Sequence, residues 1–137
     1  MKQLLLVILV CEMSFSFAQK PPTATLKSVL LEQLKTTHNK KDWFVPVNTA
    51  VEGLTAEQAM WKDSSGNHSV GQLTYHLVFW NTQSLAKLTG VKADVFSGNN
   101  EETFNNKLDK ESWDNLVKKL DDVLTQLEKV VSAADDT

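Results

Sequence analysis

The chain has 137 residues, 42% hydrophobic and 23% charged, which suits one globular domain and gives no sign of a second. Its formal charge is −3 and all 14 basic residues are lysine, so it lacks the guanidinium fork that phosphate and guanine recognition favour and it repels polyanions; nucleic-acid binding is not expected. Cys11 is the only cysteine, which excludes disulfides and cysteine-rich zinc sites.

Residues 1–18 read as a secretory signal peptide. Lys2 supplies the basic start, Leu4 to Val10 the apolar core, and Ser16-Phe17-Ala18 the small-x-small cleavage site. The apolar run is too short, and too interrupted by Glu12, Ser14 and Ser16, to cross a bilayer. A lipoprotein attached through Cys11 is the rival reading, but Val10 stands where a small residue is expected. Cleavage would leave a domain over residues 19–137 with no thiol and no membrane attachment, in a secreted or periplasmic location.

After the extended lead Gln19-Lys20-Pro21-Pro22, Thr23 or Thr25 can cap a first helix whose apolar stripe is Leu26, Val29, Leu30 and Leu34. Trp43, Phe44 and Val45 carry that helix to about Phe44, and Pro46 ends it. His38 lies in the polar run 36–41 and reads as solvated. Thr55-Ala56-Glu57-Gln58 is a capping box that opens a short bracing helix with Ala59, Met60 and Trp61. Residues 62–67 form a turn-rich link. Asn67-His68-Ser69 matches the N-glycosylation tripeptide, but the role of Ser69 as a helix cap already accounts for it.

Ser69 and Gln72 form a second capping box and start a long helix near Val70, with Gly90 placed as its left-handed C-terminal cap. Leu73, His76, Leu77 and Trp80 follow at spacings of three and four, so they share a face turned towards a partner surface, and Trp80 reads as core. An imidazole at position 76 is either a satisfied core group or a ligand. Residues 91–107 are a polar connection expected to pack loosely over one end. The third long helix starts near Asp109 or Glu111, and positions 113, 117, 120, 124, 127 and 131 alternate by four and three over nearly three heptads. Asp114, Asp121 and Asp122 fall off that face and read as solvated.

These patterns predict an all-α, up-and-down antiparallel helical bundle of three long helices plus a short one, an incomplete four-helix bundle. Each long helix would span roughly 30–37 Å. With no fourth helix over the core, an exposed apolar groove above about 400 Å² is expected.

Gly53-Leu54-Thr55-Ala56-Glu57-Gln58-Ala59, then Trp61, then His68-Ser69-Val70-Gly71-Gln72-Leu73-Thr74-Tyr75-His76-Leu77-Val78-Phe79-Trp80, resemble the front half of DinB-like (DinB/YfiT) proteins, and the Trp113 helix resembles that family's third helix. The resemblance covers about residues 24–134. It implies a four-helix bundle holding a divalent metal, zinc, nickel or similar, on three histidines. His76 matches the first of these; the other two form a His-x-x-x-His pair on a fourth helix. Such a metal leaves open positions for water or substrate. This chain has no histidine after His76, so the pair is absent from residues 77–137. His68 precedes the cap and lies about 12 Å along the axis from His76.

Two functions of different class follow. One is a secreted DinB-like metalloprotein that in its complete form is a metal-dependent hydrolase or transferase on a small-molecule substrate, with His76 one ligand of an incomplete site and the fourth helix lost from this chain. The other is a non-catalytic helical module that closes its core as a homodimer or on a helical protein partner, with His76 a hydrogen-bonded core residue.

Overall fold

The computed structural model describes residues 23–92 and 95–135; the leader expected over residues 1–18, Cys11 included, lies outside them. Capping chemistry sets the helix starts. Thr25 opens α1 (Leu26–His38), Thr55 opens α3 (Ala56–Met60), Ser69 opens α4 (Val70–Thr89) and Asp109 opens α5 (Lys110–Ala133). In each case the cap side chain accepts the third backbone N–H while that residue's side chain reaches back, an exchange that stabilises a helix end by about 1 kcal/mol. Pro46 precedes the short α2 (Val47–Val51) without a side-chain cap. Gly90 ends α4 in the left-handed region with φ 71°, as its position suggests.

The central element is α5. Trp113, Leu116, Leu120, Val123, Leu124 and Leu127 are all buried, and α1, α2 and α4 pack against this helix. Val51 of α2 and Ala59 of α3 complete the core cluster, with Leu34, Val78 and Leu85 against its edge. Gly71 lets the start of α4 come close: a Cβ there would lie 2.8 Å from Leu108 Cδ1 and 3.2 Å from the Ala59 carbonyl.

The fold is an all-α bundle, with one change of sense. Lys27 Nζ, near the start of α1, donates to the Ala134 carbonyl just past the end of α5, so α1 runs antiparallel to α5 as expected. By contrast, Gly71 lies beside Leu108, Leu77 shares a cavity with Leu120 and Leu124, and Leu88 shares one with Val130 and Val131. These matches rise together along both chains, so α4 and α5 run parallel. The connection over residues 90–109 is long enough to return the chain along the bundle at about 3.3 Å per extended residue.

Two further expectations are corrected. Helix α1 ends at His38 rather than near Phe44, because the N–H groups of Asn39 and Lys40 both close on the Lys35 carbonyl, at 3.0 and 2.7 Å. Trp43 therefore sits in a loop, 87% exposed. The later part of the connection is not loose: Asn99 caps a 3-10 turn over Asn100–Phe104, and both Thr103 and Phe104 are buried.

Leu120 is 0% exposed at the middle of α5. Leu120→Ala is expected to cost about 2–5 kcal/mol, and Trp43→Ala within about 0.5 kcal/mol of nothing, in urea denaturation.

Candidate functional site

Three places in the structure bring chemistry-bearing or unpartnered residues together. The first is the seam between α4 and the 3-10 turn. Gln72 Nε2 donates to the Phe104 carbonyl at 3.0 Å, His76 Nδ1 lies 2.6 Å from Thr103 Oγ1, and Trp80 Nε1 donates to Asn100 Oδ1 at 3.1 Å. Positions 72, 76 and 80 are successive turns of one helix face, so this edge of α4 fastens the turn along its length.

The tautomer of His76 follows from its partner. Thr103 has one hydroxyl proton, and it donates it to the Asn100 carbonyl at 2.6 Å. With that proton so placed, the 2.6 Å contact is assigned as Nδ1–H donating to Oγ1, the tautomer whose neutral ring keeps a lone pair on Nε2.

The His76 ring lies flat on Phe104, centroids 4.1 Å apart and 6° from parallel. His68 also lies flat on Phe104, at 3.8 Å and 4°. Two rings that close to one centroid cannot share a face, so Phe104 is sandwiched between the two histidines. Their rings are thus brought nearer than the separation of their backbones along the helix suggests. His68 Nε2 is 3.7 Å from Glu101 Oε2, and its Nδ1 is buried without a partner. Trp80, expected in the core, is 37% exposed and makes edge contacts with Phe79 and Phe96.

This donor set does not fit a three-ligand metal. The phenyl ring separates the two imidazoles, the nearby carboxylate pairs with His68 rather than His76, and no group of three His, Cys, Asp or Glu side chains among the described residues could hold an ion.

The second place is a buried histidine that the sequence reading put in solvent. His38 is 1% exposed at the end of α1. Its Nδ1 is 2.7 Å from Glu128 Oε1 and its Nε2 is 2.9 Å from Asp121 Oδ1, both on α5. Asn48 of α2 donates to the same Asp121 oxygen at 2.6 Å. Asp121 is therefore not merely a solvated surface group. Leu34 and His38 are four residues apart and face α5 together; that spacing was the available signal, hidden by the polar residues around it. The imidazole of His38, and then the amide of Asn48, hold the Asp121 carboxyl below its ordinary value. Asp121 rims an open concavity of about 710 Å³ between α2 and α5, where Glu52 and Asp114 lie with Lys118 over Val51, Leu54 and Val117.

The third place is an open groove between α1 and α4, floored by α5. Leu30 and Leu34 of α1 face Leu77 of α4 across Leu120 and Leu124, around a cavity of about 200 Å³. A second of about 200 Å³ continues it, lined by Leu26, Leu30, Leu88, Val130 and Val131. The stripe foreseen for α1 is thus only partly core: Leu34 packs inward, while Leu26, Val29 and Leu30 stay exposed, as do Leu73 and Leu77 on α4.

A family model described as the DinB superfamily matches residues 47–137, which leaves α1 outside the matched span. No curated protein and no solved structure matches the chain.

Removing the buried partner of two carboxylates should cost stability. His38→Ala is expected to lower it by about 1–3 kcal/mol, since the freed carboxylates can partly hydrate. A folded-state value for Asp121 below its ordinary one adds stability above that ordinary value, lost as pH falls through the folded one. Melting followed from pH 7 down to pH 2 should therefore show a smaller acid loss in Asp121→Asn than in the unmodified chain; equal losses would contradict the contact.

Proposed function

The chain belongs to the DinB superfamily, and on that premise we propose that it acts as a non-catalytic helical module that binds a helical partner in the apolar groove between α1 and α4. The observation that carries this reading is the pair of exposed leucine stripes on either side of one floor. Burying such a stripe is worth about 25 cal/mol per Å² of apolar surface, and a groove of this kind takes the apolar face of an amphipathic helix. Nothing in the seam around His76 competes as chemistry: there is no cysteine among residues 19–137 and no second histidine on the same side of Phe104. Residues 1–18 would direct the module out of the cytoplasm and be removed after Ala18.

A second reading is favoured by one observation. The superfamily is generally metal-associated, and His76 holds the tautomer of a ligand, with Nδ1–H donated to an oxygen and Nε2 bare. In that reading the protein is a metal-dependent hydrolase or transferase, His76 is one ligand for zinc, nickel or a similar ion, and the other ligands come from outside the described residues.

Titration with zinc or nickel separates the two. The module reading expects no stoichiometric binding either by the 137-residue chain or by one extended with a helix carrying His-x-x-x-His, whereas the enzyme reading expects binding to arise in the extended chain and to be lost again in His76→Ala. Stoichiometric metal on the unextended chain, lost in His76→Ala, would replace the module by the enzyme. The groove itself is tested with an apolar dye, 8-anilinonaphthalene-1-sulfonate, alongside measurement of molar mass: a monomer that binds no dye would remove the binding surface.

A further inference from the structure

We propose that the open concavity between α2 and α5 binds a small zwitterion with an apolar body, the chemistry of a free amino acid with an aliphatic side chain. This site is separate from the groove. On α5 its lining positions Asp114, Lys118 and Asp121 are turned roughly 100–160° around the helix axis from Leu120, which floors the groove. At about 710 Å³ the concavity has the size of a small-ligand pocket, and the residues that bound it lie between Asn39 and Asp121.

Its charges are held apart. Lys118 has Asp114 four residues before it and Asp121 three residues after it, spacings at which opposite charges on a helix ordinarily pair. Both carboxylates are engaged elsewhere. Lys110 Nζ donates to Asp114 Oδ2 at 2.6 Å, while Asp121 Oδ1 meets the His38 ring at 2.9 Å and accepts from the Asn48 amide at 2.6 Å. His38 is buried, so the contact that draws Asp121 aside is anchored between α1 and α5. Lys118 is thereby left without a carboxylate partner among the described residues, and Asp121 Oδ2 without a hydrogen bond.

A cation and an anion kept apart at one opening are complementary to a molecule that carries both charges. Lys118 donates to its carboxylate, and Asp121 Oδ2 accepts from its ammonium, each as a charge-assisted hydrogen bond. Residues three apart on a helix stand about 5–6 Å from each other at Cβ, a gap that the adjacent charged groups of one α-amino acid can bridge. Glu52, on the α2 side, is a second acceptor for the ammonium. The floor supplies the third element of recognition. Val51, Leu54 and Val117 line it, and Trp113 closes it with an indole fixed by donation from Nε1 to the Leu54 carbonyl at 2.7 Å. An inorganic ion would leave that apolar floor uncovered, and a simple fatty acid would leave two carboxylates facing no cation. A branched aliphatic side chain between the two charges covers all three features.

Isothermal titration calorimetry of the full chain tests this with three probes that share one aliphatic body. They are L-leucine, 4-methylpentanoate, which lacks the ammonium, and 3-methylbutylamine, which lacks the carboxylate. Saturable binding of leucine is expected, tighter than that of either analogue by about ten-fold or more, the difference that one charge-assisted contact makes. Lys118→Gln changes a side chain that has no partner to lose, so the fold is unaffected; in it leucine and 3-methylbutylamine should bind alike. In Asp121→Asn combined with Glu52→Gln, leucine and 4-methylpentanoate should bind alike. No saturable heat with leucine overturns the inference. Equal affinity of the unmodified chain for leucine and 3-methylbutylamine overturns the zwitterion, because the site then takes any organic cation. Equal affinity for all three probes overturns it too, since the apolar floor alone then binds. Leucine binding that Lys118→Gln leaves unchanged places the ligand elsewhere and overturns the site.

Discussion

Burial of one face of α5 is the constraint on which the rest depends. Trp113, Leu116, Leu120, Val123, Leu124 and Leu127 form a continuous apolar seam, and each other element is positioned by what it covers of it. Helix α4 covers one side in parallel, α1 the other in the opposite sense, and the short α2 and α3 close the end where Trp113 Nε1 donates to the Leu54 carbonyl at 2.7 Å. A helix has two flanks and an outer edge, so a seam with a neighbour on either side still leaves its floor open between them. The groove is a consequence of that arrangement: its floor is the same Leu120 and Leu124 that anchor the core.

The polar contacts work at the margins of this seam. His38 fixes the end of α1 to Asp121 and Glu128 where the apolar contact between α1 and α5 is thin, since Leu34 is the α1 residue packed against the core cluster. On the far side of α4, Gln72, His76 and Trp80 fasten the 3-10 turn. His76 thereby has a structural use independent of any metal, and the same hydrogen bond gives it the protonation pattern of a ligand. These two facts are compatible. A position can retain ligand-ready geometry while the remaining donors of a site are absent from its surroundings.

Local chemistry was legible in the sequence and tertiary chemistry was not. The Ser69–Gln72 and Thr55–Gln58 boxes, the Gly90 cap and the start of α5 at Asp109 are contacts within four residues, and the heptad spacing of α5 is a property of one helix. The family resemblance on residues 54–80 rested on those same short patterns, and the matched span includes them. The burial of His38 depends on carboxylates 83 and 90 residues away, and no window around Thr36 to Lys41 contains them. The order of Asn100–Phe104 likewise depends on α4, although Asn99 and Glu102 do carry a capping pattern. The parallel sense of α4 and α5 is set by contacts such as Gly71 with Leu108 and Leu88 with Val130, which no pattern within either helix encodes. The open groove was anticipated from apolar stripes that lacked enough partners within the chain, and its position between α1 and α4 needed the structure.

The proposed reading requires the exposed flank of α4 to be covered by a partner helix. Trp80 reports on that face, being 37% exposed in the single chain, whereas Trp113 at 2% reports on the core. Acrylamide quenching of a variant in which Trp43 and Trp61 are replaced by phenylalanine reads these two indoles alone. The account predicts that Trp113 is shielded throughout and that the quenchable Trp80 component shrinks when an amphipathic helical peptide with a leucine-rich face is added. A Trp80 component of the same size with and without that peptide would contradict it.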